Sequence, residues 1–348
     1  MNIDFYKKLK LLFAHMRKIK LFFFILLLFA TTLVFSQNSV GDKISWNAYT
    51  QIRGTTNFNN YHNFSLRRLK FWAKSTPEFS KHWSYKVQVI FMSGQNEVFF
   101  LQDIYGQYRW KNSSVRFGQF LPQFSLQRHQ PDYLVPSMER ARAVSFLIPG
   151  ASLGGRDIGI QYNLTALNGS LKFNVGVFNG YGIKEYRFDN SGYMVSQNLS
   201  YEFNIKQSKI KFGYSVIYRD AQNTKFPLII SDSITYSGSD FRYSIYGIFT
   251  SKIIDFQAEY LSAKLEDGNA DGYYGLLTIK PNDKNHIYLV YDAYKSDNSM
   301  INDNPWYLGG YNYFFKSYKI MLTLETGFQK SGNVYENRTI LQLQLFFH

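Results

Sequence analysis

The chain has 348 residues, 19% of them aromatic, no cysteine and a formal net charge of +14, yet its mean hydropathy is below zero. The missing cysteine excludes disulfides, thiol nucleophiles and thiolate metal sites, and a hydrophilic average excludes a bundle of transmembrane helices. A membrane-spanning β-barrel yields both features, because each wall strand alternates lipid-facing apolar side chains with lumen-facing polar ones.

In chain order, the first expected element is a leader. Arg17, Lys18 and Lys20 precede an uncharged run over residues 21–35 and then the small residue Ser36. This order predicts a signal peptide over residues 1–36, cleaved near Ser36, with Met16 as a candidate start. The fifteen uncharged residues fall short of the roughly 20 that a spanning helix needs. The leader holds six basic residues against Asp4, a net of +5, so residues 37–348 keep +9 of the total. For an exported chain a nucleic-acid partner is not expected, and the positive balance suits an anionic solute or an anionic lipid surface.

From residue 44 onward the dominant pattern has period 2. Ile44, Trp46, Ala48, Thr50 and Ile52 alternate with Ser45, Asn47, Tyr49, Gln51 and Arg53, and the same alternation recurs through Trp83–Phe91, Leu171–Val177, Ile210–Tyr218, Ile287–Ala293 and Tyr318–Leu324. Strands are predicted over 44–54, 65–75, 82–92, 99–110, 114–121, 156–165, 169–179, 194–204, 208–219, 241–251, 253–263, 272–280, 285–295, 305–315, 317–328 and 337–347. Sixteen is an even number, as single-chain bacterial barrels require. Short connectors such as 111–114 and 280–285 alternate with longer ones such as 180–193 and 220–240, a pattern suited to periplasmic turns and outer loops. The final strand alternates Leu341, Leu343, Leu345 and Phe347 with Gln342 and Gln344. The fold class is therefore all-β: a transmembrane antiparallel up-and-down barrel over residues 37–348.

Parity then orients the charges. In 65–75, Leu69, Phe71 and Ala73 share one face while Arg68, Lys70, Trp72 and Lys74 share the other. A lipid-facing Arg or Lys near the midplane costs roughly 2–4 kcal/mol, so the cations belong in the lumen. The same parity turns Lys86, Arg109, Arg116, Lys172, Lys209 and Lys211 inward, against the acidic Asp103, Glu259, Asp292 and Glu325. Residues 122–155 lack a wall pattern and contain Arg128, Glu139, Arg140 and Arg142. The segment is too long for a simple hairpin loop and reads as a constriction loop folded into the pore, the alternative being an outer loop packed outside it. Arg140 and Arg142 would then line the path, or pair with Glu139 or Asp157 and only pin the loop.

The stretch from Ser65 to Ile160 carries five further motifs in order. They are Arg67 and Arg68; Asp103, Tyr105 and Tyr108; Gly118, Gln119, Phe120, Pro122, Phe124 and Ser125; Glu139 and Arg140; and Arg156, Asp157, Ile158 and Gly159. This series resembles the phosphate-selective porin O and P family of outer-membrane channels. The resemblance implies a sixteen-stranded barrel, a homotrimer, an inward loop and a path lined by basic side chains. Parity and resemblance together give the candidate anion-binding set Arg67, Arg68, Lys70, Lys74, Arg109, Arg116, Arg128, Arg140, Arg142 and Arg156.

The histidines at 15, 62, 82, 129, 286 and 348 show no metal-ligand spacing, and no G-x-S-x-G elbow is present, so neither an enzyme nor a cofactor is expected. The expected function is passive diffusion of anions such as phosphate or polyphosphate across the outer membrane of a Gram-negative bacterium. A non-specific porin, a barrel-anchored receptor or adhesin and an outer-membrane hydrolase are the alternatives.

Overall fold

A computed structural model describes residues 43–93, 98–150, 154–183 and 192–347; the expected leader and its cleavage point lie outside them. The strands are β1 (Lys43–Thr56), β2 (His62–Thr76), β3 (Trp83–Met92), β4 (Val98–Trp110), β5 (Ser113–Phe120), β6 (Asp157–Ala166), β7 (Leu171–Phe178), β8 (Met194–Ile205), β9 (Ser208–Thr224), β10 (Tyr236–Thr250), β11 (Ile254–Leu265), β12 (Gly268–Asn282), β13 (Asn285–Ser296), β14 (Trp306–Lys316), β15 (Ile320–Ser331) and β16 (Val334–Phe346). Each pairs with its neighbours in chain order, and β1 closes the sheet on β16, with Tyr49 opposite Phe346 and Gly54 opposite Leu341. Closure leaves no unpaired edge, the condition for a sheet to cross hydrocarbon.

Every expected strand has its counterpart, with ends shifted where polar pairs extend the ladder. β9 and β10 run several residues beyond the apolar alternation because Arg219 faces Asp240 in register and bonds it at 2.5 Å. β15 begins at Ile320, so Tyr318 is not a wall residue: it sits in the preceding turn, its ring 5.4 Å from that of Tyr133.

The outer wall is apolar. Leu69 and Phe71 are 39% and 40% exposed, while Arg68 and Lys70 on the opposite parity are 9% and 8% exposed, the orientation that the cost of a lipid-facing cation demands. Among the described residues no helix is long and apolar enough to cross a membrane.

The segment between β5 and β6 lies inside the barrel. It carries two short helices, α1 (Leu126–His129) and α2 (Arg142–Phe146). Phe124, Ala143, Val144 and Leu147 are buried in one cluster with Ile217 of β9, Leu261 of β11, Tyr274 of β12 and Tyr294 of β13. The β9–β10 connection, expected as an outer loop, joins the same cluster through Phe226, Ile229 and Ile230. Apolar packing therefore occupies much of the lumen along β9–β13, and a cavity lined by charged side chains lies along β1–β5.

Candidate functional site

The open side of the lumen is built from inward stripes on neighbouring strands. On β2 the stripe reads Arg68, Lys70, Trp72, Lys74. Lys74 stands opposite Lys86 of β3, and Lys86 opposite Tyr105 of β4. Like charges directly across a ladder repel, and Asp103 offsets this by accepting from Lys86 Nζ at 2.6 Å and Arg156 Nε at 3.0 Å. Arg116 of β5 lies over the ring of Tyr105, 4.5 Å from its centroid, and donates to Gln107 at 3.1 Å. The approach of β5 to β4 requires Gly118: its φ is +122°, and a Cβ there would stand 2.4 Å from the Ile104 carbonyl oxygen.

The inner segment supplies the facing wall. Asp132 accepts from Lys70 Nζ at 2.5 Å and Arg140 Nη2 at 2.7 Å, and Arg68 Nη1 lies 2.9 Å away. Burial alone would raise this carboxyl, but Lys70, Arg68 and Arg140 outweigh it and hold it well below the usual carboxylate range. Glu139 is likewise held low against its burial by Arg53 and Arg67, the latter in a bidentate pair at 3.0 Å on both oxygens. Arg128 donates to the Gly154 carbonyl, and its Nε has no hydrogen-bond partner among the described residues. Burial pushes the neighbouring His129 down to about 3, although the Pro122 carbonyl opposes this.

These groups enclose a cavity of about 290 Å³. Seven cationic side chains line it (Lys70, Lys74, Lys86, Arg116, Arg128, Arg140 and Arg156) against two carboxylates, Asp103 and Asp132. Both carboxylates are shared among several cations. Lys74 and Arg116 have no carboxylate partner among the described residues.

Of the ten candidate residues, six line this cavity: Lys70, Lys74, Arg116, Arg128, Arg140 and Arg156. Arg68 reaches its edge through Asp132. The other three lie elsewhere. Arg67 is spent on Glu139. Arg109, one residue from the end of β4, is exposed at the short-turn rim. Arg142 pins the inner segment, donating to the carbonyls of Asn302, Asp292 and Asn304 at 2.8–3.1 Å. The expected partner of Arg140 was Glu139 or Asp157; its carboxylate is Asp132 instead. Lys172 and Lys209, inward by parity, stand exposed near the short turns, outside the cavity.

Residues not anticipated as site members are Asp132, Trp72, Tyr133 and Tyr49. Trp72 shares the parity of Lys70 and Lys74, a signal that was available. Asp132 gives none, since Lys70 lies 62 positions away in sequence.

The acidic residues of the far wall serve the loop. Glu259 accepts from the N–H groups of Leu126 at 2.8 Å and Gln127 at 3.2 Å, Asp292 from that of Arg142 at 2.9 Å, and Glu325 from that of Met138 at 3.0 Å. All three are buried. The carboxylates inside the barrel therefore anchor main chain or bridge cations, and the surplus charge at the cavity is positive.

A closed sixteen-strand antiparallel barrel with an inward-folded loop defines the porin class of fold. No protein-family model and no curated protein matches the chain. Solved structures do match. OmpF of Salmonella typhi, solved with daunomycin, is 9% identical with a TM-score of 0.65, the match covering 88% of this chain and 98% of that one. The outer-membrane channel DcaP of Acinetobacter baumannii is 11% identical with a TM-score of 0.61, covering 89% and 99%. An anion-selective porin from Comamonas acidovorans is 10% identical with a TM-score of 0.60, covering 88% and 100%. At these identities the likeness establishes the fold.

Proposed function

We propose that the protein is a passive outer-membrane channel for small anions, phosphate and its condensed forms among them, which pass along the basic side of the lumen. The observation that carries this reading is the charge of the cavity, seven cations against two carboxylates that are already bridged. Such a lining replaces part of an anion's hydration and repels cations, while several weak sites let the ion leave again. Arg128 Nε, buried and without a partner among the described residues, is a donor that a passing oxyanion can use, and Lys74 supplies a point charge. The ordered motifs that resemble phosphate-selective porins contribute directly here, since Asp103, Arg140 and Arg156 all line the cavity. On the same reading residues 1–36 are a cleaved leader, the apolar wall contacts outer-membrane lipid, and the protein assembles as a homotrimer.

Planar-bilayer recording in a KCl gradient tests the proposal. The expected reversal potential is that of an anion-preferring pore; cation preference, or no conductance at all, overturns it. A unit charge about 8 Å from a passing ion is worth ~2 kcal/mol at an effective dielectric constant of 20, and salt trims this. The double reversal Lys74→Glu/Arg116→Glu should therefore lower the anion-to-cation permeability ratio at least about tenfold.

A further inference from the structure

Inorganic anions leave one feature of the cavity unused. Alongside its cations it is lined by Trp72, Tyr105 and Tyr133, all half-buried, with Tyr49 behind them. Trp72 and Tyr133 lie nearly parallel, 2° between planes and 6.2 Å between centroids. Tyr49 and Phe346 pack edge-on against Tyr133 at 5.4 and 4.9 Å and fix its ring. These rings are interleaved with the charges. On β2, Trp72 stands between Lys70 and Lys74 on one face, each about 7 Å away along the strand. Tyr133 directly follows Asp132, the carboxylate that gathers Lys70, Arg68 and Arg140.

We infer that the cavity selects aryl anions, molecules with one aromatic ring and one phosphate or carboxylate, over inorganic anions of the same charge. This deepens the channel reading above and depends on it. The ring of the solute lies against the Trp72–Tyr133 shelf, and its anionic group falls to Lys74, which has no carboxylate partner among the described residues, Lys70 being held by Asp132. Every ring has a face to stack and needs no hydrogen-bond readout, so recognition is by class rather than by substituent. The cavity, about 290 Å³, lies at the small end of organic-ligand sites and matches a single ring with one charged group. The bland account of the shelf is that it only anchors the loop through Tyr133, and the experiment must separate the two.

The measurement is block of chloride current through the native channel by phosphate, cyclohexyl phosphate and phenyl phosphate. Phenyl phosphate is expected to block at about a tenfold lower concentration than phosphate, the ratio that ~1.4 kcal/mol of stacking gives, with cyclohexyl phosphate in between. In Trp72→Leu the phenyl-to-phosphate ratio should fall to near one, and in Trp72→Phe it should be largely kept. Equal block by phosphate and phenyl phosphate in an anion-preferring native channel overturns this inference and leaves the channel reading standing. A native channel that prefers cations removes both. Because the native comparison is decisive alone, a variant that fails to fold does not shelter the proposal.

Discussion

Along β2–β5 the inward side chains include four cations that face the cavity; along β9–β13 most are covered, and the two buried cations among them, Arg219 and Arg242, are both paired with Asp240. On the first wall Lys70, Lys74, Lys86 and Arg116 stand with two carboxylates among them. On the second, Ile217, Leu261, Ala263 and Val290 meet Ala143, Val144 and Leu147 from the inner segment, and Glu259 and Asp292 are occupied by backbone N–H groups, as is Glu325 on β15. Neither wall would act in the same way without the other. A barrel lined evenly by its acids and bases would have little surplus field; burying the acids under the loop leaves the surplus cationic and gives it a position. Under the channel proposed above, selectivity would be set as much by where carboxylates are consumed as by where cations are placed.

The largest expected break comes at Asp132, the single carboxylate facing three cations. Asp132→Asn leaves Arg68, Lys70 and Arg140 packed together with no counter-charge, and removing one partner of a buried pair costs about 3–5 kcal/mol. Urea unfolding should show that loss. Phosphate should restore part of it, since an anion bound only by the folded state stabilises by mass action. Stability indifferent to both the substitution and phosphate would mean that the basic wall does not need Asp132. Next in size is the opposite wall. Glu259→Gln keeps volume but removes the charge that holds Leu126 and Gln127, and hydrogen bonds to charged groups contribute about 1.5–3 kcal/mol. Hydrogen exchange at those two amides should accelerate at least about tenfold, while ion selectivity, which the proposed function assigns to the other wall, should stay as it was. A change in selectivity without faster exchange would erase the division of labour between the walls.

How much of this contrast the sequence disclosed follows from the range of the interactions. The barrel was legible because lipid on one side imposes parity residue by residue, so that Leu69 and Phe71 alone suffice to turn Arg68, Lys70 and Lys74 inward. Lys70, Lys74 and Arg116 reach the cavity for the same reason, whereas Arg128, Arg140 and Arg156 reach it on the inner segment, where no parity applies. The anchors were not legible: Leu126 meets its carboxylate 133 positions away and Met138 meets Glu325 across 187, separations at which a single sequence carries no pairing signal. Arg109 and Lys172 show the limit of parity, which tells the face of a residue but not its height along the strand. The filled half did leave a trace. Leu276 and Leu277 are consecutive and apolar, as are Leu289 and Val290, so β12 and β13 have apolar residues on both faces where a water-filled lumen would require alternation. That departure marks a wall covered from inside.

The smallest expected effect lies on the hinge between the two walls. His129 ends α1, whose start is docked on Glu259, and it lines the basic cavity beside Arg128, with Arg116 and Arg156 also acting on it. Its ring nitrogen Nε2 lies 3.3 Å from the Phe124 N–H and 2.9 Å from the Pro122 carbonyl. Burial first, and then these guanidinium groups, lower its pKa to about 3 from 6.5, so folding favours the neutral ring. The associated stability is fully present above pH 6.5. It declines as pH falls from there toward 3, because the unfolded chain takes up the proton first. Asp132 and Glu139 are depressed carboxylates, and their contribution is lost only below about pH 4, so they do not obscure the upper part of this window. The thermal midpoint of the native protein should therefore drop between pH 6.5 and 4.5 by more than that of His129→Gln. Parallel curves for the two proteins would place His129 outside the loop's energetics and leave the carboxylate anchors to hold α1 alone.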